Sequence, residues 1–494
     1  MTYATLLRRT ARAPETTDAD HAHLGSVRWQ LAACVALAAA SLILPSGLGY
    51  DPWAWLVWGR ELLDGTFSTA GGPSWKPLPV LVTAPLTLVG DAAPALWALV
   101  ARAGGLFMLV LAYRLAARFA GPVAGGVAVV TLVLSPDHEA RLIRHVSQAN
   151  IEPLTAALCL WAVERHLDGR HAHAVVLLGL AGLSRPEVWP FLLVYATWLM
   201  TRDSSRWWLV VPVLIAVPAL WFGGDWLGAG DPWVGAERAQ VLDDDVAQRF
   251  WGAVRRVGDA VVLPAWVAAA AGVVTAVRRR ESVILVLALA AAAWLIEVVA
   301  MTTLLGYAGL SRFLQPAVGL VCVLAGIGAV RLVHVLGTRA TDGVSAALDG
   351  SVARPATAVR VGLVVLLLAG TLPFMVPRAA WLGAQVADAA QRARIDADLG
   401  QVLDRVGDRD VLLSCGAVVV DGARTGLESR PSIAWKRHLP LEDVHHRIPG
   451  RSGTAVVLAG GRQDAELTSR DDADARELAR TKHWAAFAVR CAGA

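Results

Sequence analysis

The chain has 494 residues, 55% of them hydrophobic and only 17% charged, and its mean hydropathy is +0.50. A soluble enzyme of this length cannot hide so much apolar surface, so the composition excludes one and implies an integral membrane protein. The formal net charge of +4 is small and unevenly placed; with no basic tract interleaved with aromatics, it bears on topology and not on nucleic-acid binding.

The first apolar run, 29–44, follows Arg8, Arg9, Arg12 and Arg28 and has the outline of a signal peptide. A polar leader of ~28 residues and the lack of a small-x-small cleavage site favour a retained span instead, with residues 1–28 as a cytoplasmic leader. A spanning helix needs ~20 apolar residues. Spans are therefore expected near 29–48, 95–117, 121–136, 149–166, 172–185, 187–201, 207–222, 260–277, 282–304, 313–335 and 358–377, about eleven in all. From a cytoplasmic start, the inner loops then collect Arg114 and Arg118, Arg165 and Arg170, Arg202 and Arg206, Arg278 to Arg280, and Arg331, Arg339, Arg354 and Arg360, as the positive-inside rule requires. The odd number leaves the tail from Met375 outside. A span at 77–90 would invert every later loop, so that stretch is read as a short interfacial helix.

The outer loops are then 51–78, 135–150, the Arg185-Pro186-Glu187 turn, 223–259 and 307–312. They gather acids, arginines and tryptophans on one side of the membrane, as the walls of a site would. Trp53, Trp55, Trp58, Trp75 and Trp189 are expected mainly as interface anchors. Asp-Pro-Trp occurs at 51–53 and again at 231–233, without a periodic repeat. Arg255 and Arg256 interrupt the charge asymmetry and fit an amphipathic interfacial helix or a solvated face. Residues 337–357 are polar and small, and read as a linker. Beyond Pro377 the composition changes: 384–407 has helical period, DVLLSC and GTAVVLAGG are short apolar runs, and HWAAFAVRC alternates as a strand does. Residues 378–494 are therefore expected to form a small α/β domain. Cys34, Cys159 and Cys322 lie in apolar runs and behave as small hydrophobes. Cys415 and Cys491 fall in the polar tail and can pair if it lies outside the cytoplasm.

Several outer-loop residues carry chemistry. Asp51 closes the first span, either as the cap of the helix that begins at Pro52 or as a catalytic carboxylate. In the second outer loop Asp137, His138 and Glu139 can offer hard oxygen and imidazole ligands to a divalent cation, Mg or Mn, or serve as first-turn acids of the following helix. Glu152 re-enters lipid and must face a cavity or a cation, for which Arg144 and His145 are near in sequence. Arg185 and Glu187 lie at membrane depth, as a local ion pair or with Arg185 on a phosphate. Lys76 and Arg312 can bind phosphate or snorkel to headgroups. Glu297 sits inside an apolar run.

In this order along the chain the residues resemble the GT-C superfamily of multispanning glycosyltransferases, which take a sugar from a polyprenyl-phosphate carrier on the extracytoplasmic side. The resemblance covers roughly residues 29–377. It rests on Asp51 after the first span, the Lys76-Pro77-Leu78-Pro79 string in the first outer loop, Asp137 and Glu139 in the second, and Arg312 in a late one. It implies an α-helical polytopic fold in the plasma membrane, with the small α/β domain on the extracytoplasmic face. It also implies an inverting glycosyltransferase, with a polyprenyl-phosphate donor carrying mannose or arabinofuranose and a glycan, lipid or protein acceptor. Asp51 is then the base, Arg312, Lys76 and Arg185 address the donor phosphate, and Glu152, Glu187, His138, Arg144, His145 and Trp53 line the site. A transporter or flippase, or a membrane scaffold with an outer binding domain, are the alternative readings. The catalytic reading requires Lys76, Asp137, Glu139, Glu152, Arg185 and Arg312 to converge beside Asp51.

Overall fold

A computed structural model of the chain describes residues 26–134, 142–240, 242, 244–347, 354–421, 425–446, 454–460 and 475–491. Asp137, His138 and Glu139 lie outside the described residues. The chain opens with α1 (Val27–Ala40), α2 (Tyr50–Asp64), α3 (Pro77–Thr87), α4 (Ala93–Leu134), α5 (Leu142–Ser147), α6 (Glu152–Leu167) and α7 (His171–Gly182). It continues through α8 (Trp189–Arg202), α9 (Trp207–Ala229), α10 (Val234–Ala239), α11 (Val246–Asp259), α12 (Leu263–Arg279), α13 (Ser282–Leu305), α14 (Gln315–Ala347) and α15 (Arg354–Val406).

Each expected apolar span falls on one of these helices. The helical run α4 holds two of them, because Gly121 takes a φ of +82° that side chains resist, Pro122 follows, and the chain folds back until Tyr113 lies over Gly125. Among the described residues four segments are long and apolar enough to cross a membrane alone: Gly90–Leu134, Ser204–Ala229, Ser282–Leu305 and Ser311–Thr338. Helices α11 and α12 form a further pair, bent by 83°. Leu193 and Val194 on α8, Ile215 on α9, and Leu289 and Ile296 on α13 are exposed, a surface that only lipid can cover at low cost. The chain is a multi-pass membrane protein. Helix α3, at 11 residues about 16 Å long, is too short to span. It lies against α2, where the Thr83 hydroxyl donates to the Trp55 carbonyl at 2.7 Å.

Two local expectations change. Residues 337–347 continue α14 as helix where a loose linker was expected, and α15 runs unbroken past Pro373 and Pro377. The run DVLLSC forms the short helix α16 (Arg409–Ser414), because the Asp408 carboxylate accepts from the Val411 N–H at 3.2 Å and caps a helical turn. The first strand comes instead from the next apolar run, β1 (Ala417–Asp421), followed by α17 (Thr425–Lys436), β2 (Val444–His445), β3 (Ala455–Gly460), β4 (Ala475–Arg480) and β5 (Trp484–Val489).

The strands form one sheet in the order β2-β1-β3-β5-β4, with β1 parallel to β2 and β3 and β5 antiparallel to β3 and β4. Cys415 and Cys491 are bonded, Cα to Cα 5.3 Å, closing the start of β1 onto the end of β5. Helix α17 and the C-terminal part of α15 seat this sheet on α2. Trp53, Trp55 and Trp58 of α2 thereby share one buried core with Leu399, Leu403, Leu439 and Trp484. These tryptophans are core residues and not interface anchors: Trp55 and Trp58 are 0% exposed, Trp55 packed edge-on against Trp97 and Trp58 against Trp75, in the core shared with the C-terminal domain.

Candidate active site

Five chain segments bring their charges to one place beside the start of α2, and local sequence explains each. Asp51 lies in the first turn of α2; the helix begins two residues earlier than expected, with Gly49 as N-cap and no side-chain cap bond. The capping role for Asp51 is thus replaced by a tertiary one. Lys76 precedes Pro77, which forces it extended (φ −139°, ψ 113°) and starts α3 with a proline at its first position. Arg185 precedes Pro186 and is extended for the same reason (φ −148°, ψ 125°), ending α7 and turning its side chain out of the helix. Arg312 lies in the 3₁₀ turn Ser311–Leu314 that leads into α14. Its loop is held by Gly309, at φ +52° against the Thr302 side chain, and by an isolated bridge between Gln240 and Tyr307. Glu152 opens α6, and the preceding loop is tied to α2 where the Gly49 N–H donates to the Gln148 carbonyl at 2.9 Å.

The charges alternate along a chain of contacts. Lys76 Nζ donates to Asp51 Oδ2 at 3.2 Å, and the same oxygen receives Arg312 Nη2 at 3.4 Å. Arg312 Nε stands 3.4 Å from Glu152 Oε1, which also pairs with Arg185 Nη2. Arg185 Nη1 is 3.9 Å from Glu187 Oε1, and that oxygen accepts from the Tyr307 hydroxyl at 3.1 Å. Arg185 therefore takes Glu152 as its near partner rather than its sequence neighbour Glu187, and its guanidinium lies 3.9 Å from the Phe313 ring centroid. Lys76 sits 5.4 Å from the Trp55 ring centroid.

Three cations face three carboxylates, and the group is nearly dry. The side chains of Lys76, Arg185, Asp51, Glu152 and Glu187 are at most 10% exposed, whereas that of Arg312 is 23% exposed and is the cation an incoming anion meets first. Burial alone would raise the Asp51 carboxyl, but Lys76 and then Arg312 outweigh it and hold it below the ordinary carboxylate value. Burial lowers Lys76, opposed by Asp51. Asp51 is thus a carboxylate, and Tyr307, raised by burial and by Glu187, is a phenol.

Of the residues expected here, Asp51, Lys76, Glu152, Arg185, Glu187 and Arg312 come together. His145 is buried beside Glu152 and its Nδ1 lies 3.2 Å from Asn150 Nδ2. Arg144 is half-buried on α5, one residue along, and is not among the ion-pair partners of Glu152, which are Arg185 and Arg312. Trp53 points away, under Lys436 of the C-terminal domain, whose Nζ is 5.5 Å from its ring centroid. Tyr307 was not singled out from sequence; its position in the loop that carries Arg312 was the available signal. Glu297 lies half-buried on α13 within electrostatic reach of Glu187. Among the described residues no three metal-ligating side chains converge, and the site carboxylates face cations of the protein instead.

By sequence the chain matches no family model and no curated protein. By structure it is similar to ArnT from Cupriavidus metallidurans in the apo state, with TM-score 0.54 and 16% identity over 93% of this chain and 97% of that one. It is equally similar to the same protein bound to undecaprenyl phosphate, with TM-score 0.55 and 15% identity over 94% and 97% of the two chains. The oligosaccharyltransferase of Archaeoglobus fulgidus in its apo form is more distant, with TM-score 0.47 and 13% identity over 85% and 64%. The helical polytopic fold with a small C-terminal α/β domain expected from the sequence is the fold found, and ArnT from Cupriavidus metallidurans shares it.

Proposed function

We propose that the protein is a glycosyltransferase that moves a sugar from a polyprenyl-phosphate donor to an acceptor hydroxyl at the extracytoplasmic face of the membrane. One observation carries the reading: a buried carboxylate, Asp51, held between Lys76 and Arg312. Transfer from a lipid phosphate needs these two kinds of group together, a base for the acceptor proton and cations for the departing phosphate. The similarity to a protein of the same fold bound to undecaprenyl phosphate adds to it.

On this reading the acceptor oxygen attacks the anomeric carbon as the carbon–phosphate oxygen bond breaks. The acceptor proton passes to Asp51 and the bonding pair leaves on the phosphate oxygen, where Arg312 and Lys76 stabilise it. A single in-line displacement inverts the anomeric centre. The cations that hold Asp51 ionised also weaken it as a base; as they turn to the donor phosphate its basicity rises, so base strength is coupled to donor occupancy. Orientation is supported from both ends. Arg114, Arg118 and Arg165 gather with Glu164 and Asp168 just before α4 folds back at Gly121 and where α6 ends, away from Asp51, as an inner face should. The bonded Cys415 and Cys491 suit an oxidising compartment for the outer domain.

The test is release of polyprenyl phosphate by the purified full-length protein. It is supplied with undecaprenyl phosphate carrying arabinofuranose or mannose, together with cell-envelope glycan, lipid and protein acceptors. Transfer to one acceptor identifies the sugar and acceptor classes. Failure to bind either donor and to transfer from it rejects the reading.

A further inference from the structure

The charged chain contains a second kind of unmet valence, distinct from what a phosphate needs. Glu152 and Glu187 are 2% and 0% exposed, and each uses only one carboxylate oxygen: Oε2 of both accepts no hydrogen bond from the protein. Two donors in the same group also make no hydrogen bond, Nε of Arg185 and Nε of Arg312, the latter in ionic contact with Glu152 Oε1 at 3.4 Å. A buried polar atom without a partner is costly, on the order of 1–3 kcal/mol, and four in one cluster point to a ligand that supplies their partners. An anion would match only the two arginine donors, and a cation only the two carboxylate oxygens. A hydroxyl does both, giving its proton to a carboxylate and accepting from a guanidinium N–H. Several hydroxyls on one rigid ring would satisfy the set.

We infer that Glu152 and Glu187, with the arginines between and beside them, form the recognition subsite for the hydroxyls of the donor's sugar ring. Glu187 is the specificity-determining carboxylate. The inference rests on the proposed transferase function and extends it from the phosphate to the sugar. The geometry of the chain suits it. Arg312 contacts both Asp51 and Glu152, so a sugar whose phosphate lies on Arg312 has its ring beside Glu152 and toward Glu187. Tyr307 fixes Glu187 by donating to Oε1, which leaves Oε2 as the oxygen available to a ligand. Tyr307 and Phe313, with ring centroids 5.2 Å apart, form an apolar wall beside it. Glu187 lies only in loose contact with Arg185, so neutralising it disturbs the protein's own pairs less than neutralising Glu152, the near partner of Arg185.

The experiment is equilibrium binding to full-length protein in lipid nanodiscs, comparing undecaprenyl phosphate with the same lipid phosphate bearing arabinofuranose or mannose. Glu187→Gln should weaken the preferred glycolipid by about tenfold or more, the worth of a charged hydrogen bond, and leave undecaprenyl phosphate within about twofold. Tyr307→Phe, which frees Glu187 to rotate, should weaken the glycolipid alone and to a smaller extent; it carries the test if Glu187→Gln does not fold. Equal weakening of both lipids, or of neither, overturns the sugar assignment while leaving the phosphate reading intact. Wild-type protein that binds undecaprenyl phosphate but neither glycolipid overturns it as well. Wild-type protein that binds none of the three removes the transferase reading itself.

Discussion

Replacing Asp51 by Asn tests the proposed base with the smallest change in shape. The amide keeps the volume and can still accept one hydrogen bond from Lys76, but it takes no proton from an acceptor hydroxyl. Loss of a general base costs about 10²- to 10⁴-fold in turnover. The same change leaves Lys76 and Arg312, at 3.2 and 3.4 Å, without their shared counter-charge. Breaking a buried ion pair by removing one partner costs about 3–5 kcal/mol. Here Arg312 keeps Glu152 and Lys76 keeps the Trp55 ring, so the lower end, ~3 kcal/mol, is expected. Two positive charges without a carboxylate between them should also hold a lipid phosphate at least as tightly as before. The assay therefore has three readouts: turnover with a polyprenyl-phosphate sugar, equilibrium binding of undecaprenyl phosphate, and the unfolding midpoint in detergent. Turnover should fall at least a hundredfold, binding should be unchanged or tighter, and the midpoint should drop while folding stays cooperative. Folded Asp51→Asn protein that turns over within about threefold of wild type refutes the base assignment. Loss of phosphate binding together with turnover shows that Asp51 only shapes the site.

Arg312→Gln removes the most accessible cation and should weaken undecaprenyl phosphate binding by on the order of ten- to a hundredfold; unchanged affinity at moderate salt would remove Arg312 from the phosphate. Glu61, buried near the end of α2, accepts from the backbone N–H groups of Leu441 and Ser68 at 3.3 and 3.4 Å, yet burial outweighs these bonds and lifts its carboxyl to about 7. An acid raised in the folded state binds more protons there than when unfolded between about 4.5 and 7. Its stability contribution is accordingly full below that window and lost as pH rises through 7, by up to ~3 kcal/mol. Glu61→Gln should flatten the pH dependence of unfolding over that range, and an unaltered slope contradicts the assignment. Cys415→Ser opens a link that spans 76 residues and should cost the outer domain ~2–4 kcal/mol, read as faster proteolysis of residues 417–491 in the oxidised protein. Equal proteolysis of variant and wild type would show that the bond adds nothing to the domain's stability.

The membrane part was legible because its physics is one-dimensional. Apolar length and arginine asymmetry locate helices without knowledge of packing, and every expected span coincides with one. The charges were legible one by one, since a buried Glu152 or Arg185 in an apolar context demands a partner. The pairing was not. Glu152 finds Arg185 across 33 residues and Asp51 finds Arg312 across 261, separations that no local pattern encodes. The tryptophans of α2 were misread for a related reason: an indole at the end of a span looks the same in sequence whether headgroups or another domain covers it. The outer sheet was half-visible. GTAVVLAGG and HWAAFAVRC show their strands, but the first strand, β1, is preceded by an apolar run that Asp408 diverts into a helix, a decision made by one side-chain hydrogen bond.

Helix α2 explains why a membrane site and a polar domain occur on one chain. Its first turn carries Asp51 into the charged cluster. Its far part is held by the C-terminal domain: the Arg60 guanidinium donates to the carbonyls of Leu439 at 2.8 Å and Trp435 at 3.3 Å, and lies 5.6 Å from the Trp435 ring centroid. Glu61, the next residue, accepts from Leu441 of the same segment. Between these ends Trp55 and Trp58 are sealed into a core shared with the sheet domain. A carboxylate proposed to react must be held within about half an ångström of its productive position, and the 15-residue α2 is restrained from two sides. The C-terminal domain supplies that restraint from one side, and α3, through Thr83 and the Lys76 that caps it, supplies it from the other. The sheet domain is therefore part of the structure that positions Asp51.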